Sequence, residues 1–140
     1  MKIYFAIPMI SGKSPAVPYK EIRDFLVENG HQVLTEHLLE EGAWESESQL
    51  PREFIFQRDI SWLKEADLMI AEVSVPSLGI GFEIAYVLGL KKEMLCLALD
   101  GVRVSAMIEG NKNLTLIRYR DSQEALRAVR AFLEAIRARR

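Results

Sequence analysis

Asp67-Leu68-Met69-Ile70-Ala71-Glu72-Val73 and Glu93-Met94-Leu95-Cys96-Leu97-Ala98-Leu99 are two short apolar runs, and between them Ser74-Val75-Pro76-Ser77 leads into Leu78-Gly79-Ile80-Gly81-Phe82-Glu83-Ile84-Ala85-Tyr86-Val87-Leu88-Gly89-Leu90. Continuous apolar runs of this length suit strands buried on both faces, and the middle piece reads as a turn followed by a helix over about Gly79 to Leu90. The pattern strand, helix, strand is the signature of a mostly parallel sheet covered by helices.

The alternation extends in both directions. Further strands are expected at about Lys2 to Pro8, Gln32 to Glu36 and Leu114 to Tyr119. One helix should start around Pro15 to Pro18 and stop at Gly30, because proline is tolerated in a first turn and glycine favours the residue after a helix ends. Pro51 opens another, to about Ala66, and Asp121 or Ser122 caps the last, which ends near Arg137. The segment Leu38 to Leu50, with Glu40, Glu41, Gly42, Glu45 and Glu47, is too polar for a strand and reads as a mobile loop. No repeat or interdomain linker interrupts residues 1–140, so one domain is expected.

Composition narrows the function classes. The 140 residues are 49% hydrophobic and 27% charged, the balance of an ordinary globular protein. A net charge of -2 offers no broad footprint for a nucleic-acid polymer, and Arg137, Arg139 and Arg140 read as a helix end whose cations complement the macrodipole. The single cysteine, Cys96, lies in an apolar run and reads as a core thiol, which fits a cytoplasmic setting. No apolar stretch approaches the ~20 residues of a membrane span, and Met1 to Ile7 lack the features of a signal peptide.

Two acidic residues interrupt apolar helix stripes. Phe56, Asp59, Ile60 and Leu63 follow the spacing of one buried helix face, as do Ile80, Glu83, Ile84 and Val87. An ionised carboxylate there costs several kcal/mol unless it is paired or faces a polar cleft. An ion pair explains either residue alone; both together point to a shared site. Glu83 in the first turn of its helix should be the more readily ionised, as a nucleophile must be, while Asp59 would hold or relay a proton. Retaining glycosidases use such a pair at ~5 Å.

Ligands in open α/β sheets bind beyond the carboxyl ends of the strands. That logic selects Tyr4 to Ser11, His37, Ser74 to Glu83 and the Gly101 to Ser105 loop. The turn through Ser77, Gly79 and Gly81 resembles a phosphate cradle, but it lacks a P-loop Lys-Ser/Thr pair and has Ile84 at the third position of a dinucleotide fingerprint. Turn and capping duty explain it equally well. His37 has no companion His or Cys, so no metal is expected. Trp62 reads as a core or dimer residue, and Trp44 is placed to close over a base.

Lys2-Ile3-Tyr4-Phe5, Leu34-Thr35-Glu36-His37, Asp59-Ile60-Ser61-Trp62-Leu63, Ala66-Asp67, Ala71-Glu72-Val73, Pro76 to Glu83 and Val104-Ser105-Ala106-Met107-Ile108 together resemble the nucleoside 2-deoxyribosyltransferase superfamily, most of all its 2'-deoxynucleoside 5'-phosphate N-hydrolase branch. The likeness runs in order from Lys2 to about Arg120. It implies a flavodoxin-like or Rossmann-like α/β three-layer sandwich whose five-stranded parallel sheet has the order 2-1-3-4-5. It also implies Glu83 as nucleophile, Asp59 assisting the departing base, and Tyr4 positioning Glu83, with no cofactor.

By the same resemblance Phe5, Ala6, Ile7, Pro8, Met9, Ile10, Ser11, Tyr19 and His37 line the sugar and base pocket, and Ser77 and Gly79 meet the phosphate. Ser105, with Ala106 and Met107, would reach that phosphate from the other subunit of a homodimer. Ser105 fits the monophosphate branch; the transferase branch places an Asn near its C terminus, whereas this chain ends Ala138-Arg139-Arg140. Ile10 stands where the hydrolases often carry an arginine, and Lys13 is the nearby cation able to replace it. Base exchange by a transferase and a non-catalytic nucleotide sensor are the competing functions.

Overall fold

Five strands pair in parallel because each is apolar enough to be covered twice, and each connection is long enough to cross over a face of the sheet. The computed structural model describes residues 1–9 and 16–140. In chain order the elements are β1 (Lys2–Ala6), α1 (Tyr19–Glu28), β2 (Gln32–Val33), a 3-10 turn (Glu36–Leu39), α2 (Ala43–Ser48), α3 (Arg52–Glu65), β3 (Leu68–Glu72), α4 (Leu78–Gly89), β4 (Glu93–Leu99), α5 (Ala106–Glu109), β5 (Thr115–Tyr119) and α6 (Ser122–Ala138). The sheet order is β2-β1-β3-β4-β5, as expected. Register aligns Tyr4 with Met69 and Met69 with Met94 across the centre.

Period-two alternation divides the interior into two layers. Ile3, Phe5, Leu68, Ile70, Leu95 and Leu97 face α1 and α6. Tyr4, Ala6, Met69, Ala71, Met94, Cys96 and Ala98 face Leu63 of α3 and Ile80, Ile84 and Val87 of α4. One consequence matters for function: Tyr4 is on the layer that contains α3 and α4, while its neighbours Phe5 and Ile7 are core residues of the opposite layer.

The expected second strand shortens to Gln32–Val33. Thr35 explains the stop: its hydroxyl donates to the Phe5 carbonyl at 2.6 Å and accepts from the Phe5 amide at 3.2 Å, so a side chain takes the place of the next ladder step. The stretch expected as a mobile loop is folded instead. Leu38 and Leu39 are buried in the α1/α6 layer, and Glu47 on α2 is buried through charge pairing. Composition concealed this because the segment's order rests on two leucines and distant cations rather than on periodicity.

The proposed α3 stripe is only partly internal. Leu63 is fully buried and Asp59 and Ile60 are half-buried, but Phe56 is 56% exposed. Its ring lies edge-on to Phe82 at 6.2 Å, and Phe82 stacks on Tyr86, forming an aromatic surface between α3 and α4. No helix among the described residues is long and apolar enough to cross a membrane.

Gly30 takes φ +80 after α1, the left-handed stop anticipated for it. At the end of α3 a lysine performs a comparable service. Lys92 Nζ donates to the carbonyls of Leu63, Lys64 and Ala66 at 2.8, 2.5 and 2.7 Å, satisfying groups that the helix leaves unpaired. Lys92→Met should therefore lower stability by about 2 kcal/mol, the scale of a lost charge-assisted contact, measured by urea unfolding; an unchanged midpoint would show that water replaces the cap at no cost.

Candidate active site

β1 and α4 bring an aromatic hydroxyl and a carboxylate together from 79 positions apart. The Tyr4 Oη donates to Glu83 Oε1 at 3.0 Å. Tyr4 is almost fully buried, and burial with the nearby negative charges of Glu83 and Asp59 pushes its hydroxyl far above the ordinary range, so it remains a donor. Glu83 is half-buried, and desolvation raises its carboxyl to about 7; the Tyr4 hydrogen bond opposes the rise and the Asp59 charge adds to it.

Glu83 is thus harder to ionise than its expected place in the first turn implied. α4 starts at Leu78, capped by Ser77, whose Oγ accepts from the Ile80 amide at 3.3 Å, so Glu83 sits in the second turn. The helix-end charge fades within the first turn, leaving burial to govern Glu83. Asp59 is also raised by burial, but Arg58 beside it works in the opposite direction.

Asp59 belongs to a charged cluster that spans three elements. Arg58 Nε donates to Asp59 Oδ1 at 3.0 Å, while its Nη1 and Nη2 reach Glu47 Oε2 and Oε1 at 3.1 and 2.8 Å. His37 Nε2 lies 2.9 Å from Glu47 Oε1, and its ring meets Trp62 edge-on at 5.3 Å. The Arg58 guanidinium covers the Trp62 ring at 4.7 Å. Trp62 thus supports the cluster as a platform.

The other expected site residues divide among different places. Ala6 shares the Tyr4 layer; Phe5 and Ile7 are core residues of the opposite layer, Met9 packs against that layer, and Pro8 is buried. Ile10 and Ser11, like Lys13, lie outside the described residues. Tyr19 is buried with the α1/α6 core, on the layer opposite Tyr4, and lines a cleft of about 420 Å³ with Leu38 and Trp44. Ser77 lines a second cleft, about 990 Å³, together with Ser105, Ala106 and Met107. Arg103 supplies its charged side chain.

Gly79 and Gly81 have ordinary φ, and a Cβ at either would meet no closer atom than Ser77 Oγ at 3.8 Å from Gly79. Their lack of side chains leaves open space beside α4 rather than permitting an unusual turn. Ser105 caps the short α5 through the Met107 amide. No group of three His, Cys, Asp or Glu side chains among the described residues is arranged to hold a metal ion. Burial pushes the Cys96 thiol up to about 12, consistent with a packing role.

Arg58 and Glu47 were not legible as site residues. Arg58 precedes Asp59 directly, and adjacent helix residues diverge, so spacing does not predict their contact. Glu47 lay within a stretch read as loop. On the opposite layer, Glu72 is fully buried and accepts from the Ser74 amide at 2.5 Å and the Tyr119 hydroxyl at 2.6 Å. It ties the β3 exit to β5, and the Ser74 Oγ accepts from Leu99 nearby.

Comparison with known proteins shows the family. The family model described as nucleoside 2-deoxyribosyltransferase matches residues 3–116. A Thermofilum pendens protein named "Putative 2'-deoxynucleoside 5'-phosphate N-hydrolase 1" is 42% identical over 137 residues, covering 95% of each chain. A 5-hydroxymethyl-dUMP N-hydrolase of Esox lucius is 38% identical, covering 89% of this chain and 88% of its own. The solved CMP N-glycosidase of Clostridium botulinum has the same fold, with a TM-score of 0.69 at 23% identity over 94% of this chain and 99% of its own. With the model match spanning most of the sequence and the fold in agreement, the chain belongs to the nucleoside 2-deoxyribosyltransferase family.

Proposed function

We propose that the protein is a nucleotide N-glycosidase that hydrolyses 2'-deoxynucleoside 5'-monophosphates to free base and deoxyribose 5-phosphate. The observation that carries this reading is the Tyr4-to-Glu83 hydrogen bond at 3.0 Å beside a second raised carboxyl, Asp59. Names of relatives at 38% and 42% identity support the substrate class.

Glu83 acts in its ionised form. Because Tyr4 holds Oε1, Oε2 attacks the anomeric carbon; the glycosidic C–N electron pair leaves with the base, to which Asp59 gives a proton. Water then attacks the sugar ester, loses a proton to Asp59, and returns Glu83 as carboxylate. Ser77 and Gly79 serve the phosphate end, His37 and Ala6 the sugar and base end. No cofactor enters this scheme.

A homodimer completes the site by bringing Ser105, Ala106 and Met107 of one copy to the phosphate of the other. Support comes from apolar exposure around that cleft: Leu78 is 97% exposed, Met107 81% and Phe82 54%. An isolated chain would leave this surface in water at a cost that association removes.

A panel of deoxynucleoside 5'-monophosphates and matching nucleosides, followed by chromatography of released base, tests the reaction. Release from the monophosphates should dominate and Glu83→Gln should reduce it at least ~1000-fold; formation of a new nucleoside when an acceptor base is added would select transfer instead, and binding without cleavage would select a sensor. The kcat/KM profile should fall on the acid side with a midpoint near the Glu83 value of about 7, since protonation removes the nucleophile. A flat profile down to about pH 5 would contradict that assignment.

Stability supplies a check without turnover. A carboxyl raised from 4.5 to about 7 costs folding free energy above about 7, and the cost vanishes below about 4.5. Glu83→Gln should therefore raise Tm at about pH 8 and lose that advantage at about pH 4. For assembly, wild type should sediment as a dimer, while Met107→Glu with Phe82→Glu should give monomers with weakened monophosphate binding; a wild-type monomer with full activity would remove the shared phosphate site.

A further inference from the structure

We propose that Arg58 is the positioning residue for Asp59 and that Glu47 directs it, by gripping the end of the guanidinium and holding its plane so that Arg58 meets Asp59 through Nε. This rests on the N-hydrolase reading, because holding Asp59 by one oxygen serves a residue that exchanges a proton with the departing base.

The geometry supports a three-part device. Arg58 and Asp59 are adjacent on α3, where consecutive side chains point roughly 100° apart. Their 3.0 Å contact needs the arginine to be drawn back over its own helix, and Glu47 supplies that pull with two contacts at 2.8 and 3.1 Å. The Trp62 ring beneath the guanidinium, 4.7 Å away, fixes its plane. His37 at 2.9 Å from Glu47 secures the second acid in turn.

An unrestrained arginine beside an aspartate favours a fork that takes both carboxylate oxygens. Such a fork would hold Asp59 ionised and leave no oxygen for a ligand. With the guanidinium plane held by Glu47 and Trp62, the contact to Asp59 runs from Nε to Oδ1, and Oδ2 remains for the base. Glu83 is treated likewise, held through Oε1 by Tyr4. Both acids are oriented by a single oxygen.

The groups that bear on Asp59 are Arg58 of its own helix, Glu47 of α2 and His37 of the 3-10 turn. Tyr4 of β1 and Glu83 of α4 feel its charge from the sheet side. Removing one member should shift Asp59 in a direction set by what remains. Without Glu47, the freed guanidinium forks onto Asp59 and lowers its titration midpoint. Without Arg58, the half-buried carboxyl loses its cation and the midpoint rises.

The test is a carbon-detected NMR titration of the Asp59 carboxyl, assigned with Asp59→Asn, in wild type, Glu47→Gln, Arg58→Gln and Arg58→Lys, with kinetics and Tm for each. Opposite shifts in Glu47→Gln and Arg58→Gln are expected, each with kcat about tenfold lower and KM within about twofold. Arg58→Lys keeps the charge without the fork, so its midpoint should stay closer to wild type while kcat stays low. Unchanged midpoints, shifts in the same direction, or full kcat in Arg58→Lys would overturn the proposal. A wild type that releases no base would end the hydrolase reading, and the titration would still decide whether Arg58 positions Asp59.

Discussion

A tyrosine hydroxyl facing a half-buried glutamate is the contact on which the rest of the site depends. Tyr4 extends from the central part of the sheet towards α4, and Glu83 interrupts an otherwise apolar helix face to meet it. Burial raises the carboxyl to about 7, which leaves it available as anion near neutral pH but poorly solvated. A less solvated carboxylate is more reactive, and a donor on one oxygen limits its freedom. The packing that makes Glu83 costly to fold is thus what would make it useful.

The neighbouring acid is managed by different means. Asp59 is raised by burial too, yet a cation lies against it and a second acid lies against the cation. Charges alternate from Asp59 to Arg58 to Glu47, and His37 closes the row by hydrogen bonding. Such a network is electrostatically more favourable than a lone buried carboxylate, because each group is paired where water is scarce. It also fastens α2 and the 3-10 turn to α3, so the segment between β2 and α3 is held against the candidate acid Asp59.

The opposite layer shows what a carboxylate looks like when it serves structure. Glu72 is fully buried and accepts from Ser74 and Tyr119, linking the turn before α4 to the far strand. That turn carries Ser77, the cap of α4 and the proposed phosphate contact. Glu72, bonded to Tyr119, and Glu83, bonded to Tyr4, therefore serve opposite layers of one sheet. The apolar surface at Leu78, Phe82 and Met107 adds the remaining feature, a face that the chain does not cover by itself.

Parity and apolar run length made the five strands, the helices flanking them and the two interrupted stripes legible in the sequence, because these depend on local backbone periodicity. The order of the strands and the pairing of Tyr4 with Glu83 follow from the family likeness and not from periodicity, because both join segments far apart in the chain. The ease of ionising Glu83 was misjudged because a helix start at about Gly79 put it too near the dipole, whereas desolvation by surrounding side chains governs it. The folded state of Leu38 to Leu50, the exposure of Phe56 and the Glu47–Arg58–Asp59 arrangement were decided only in three dimensions. Each depends on which distant atoms exclude water or supply an opposite charge, and chain spacing carries no record of that.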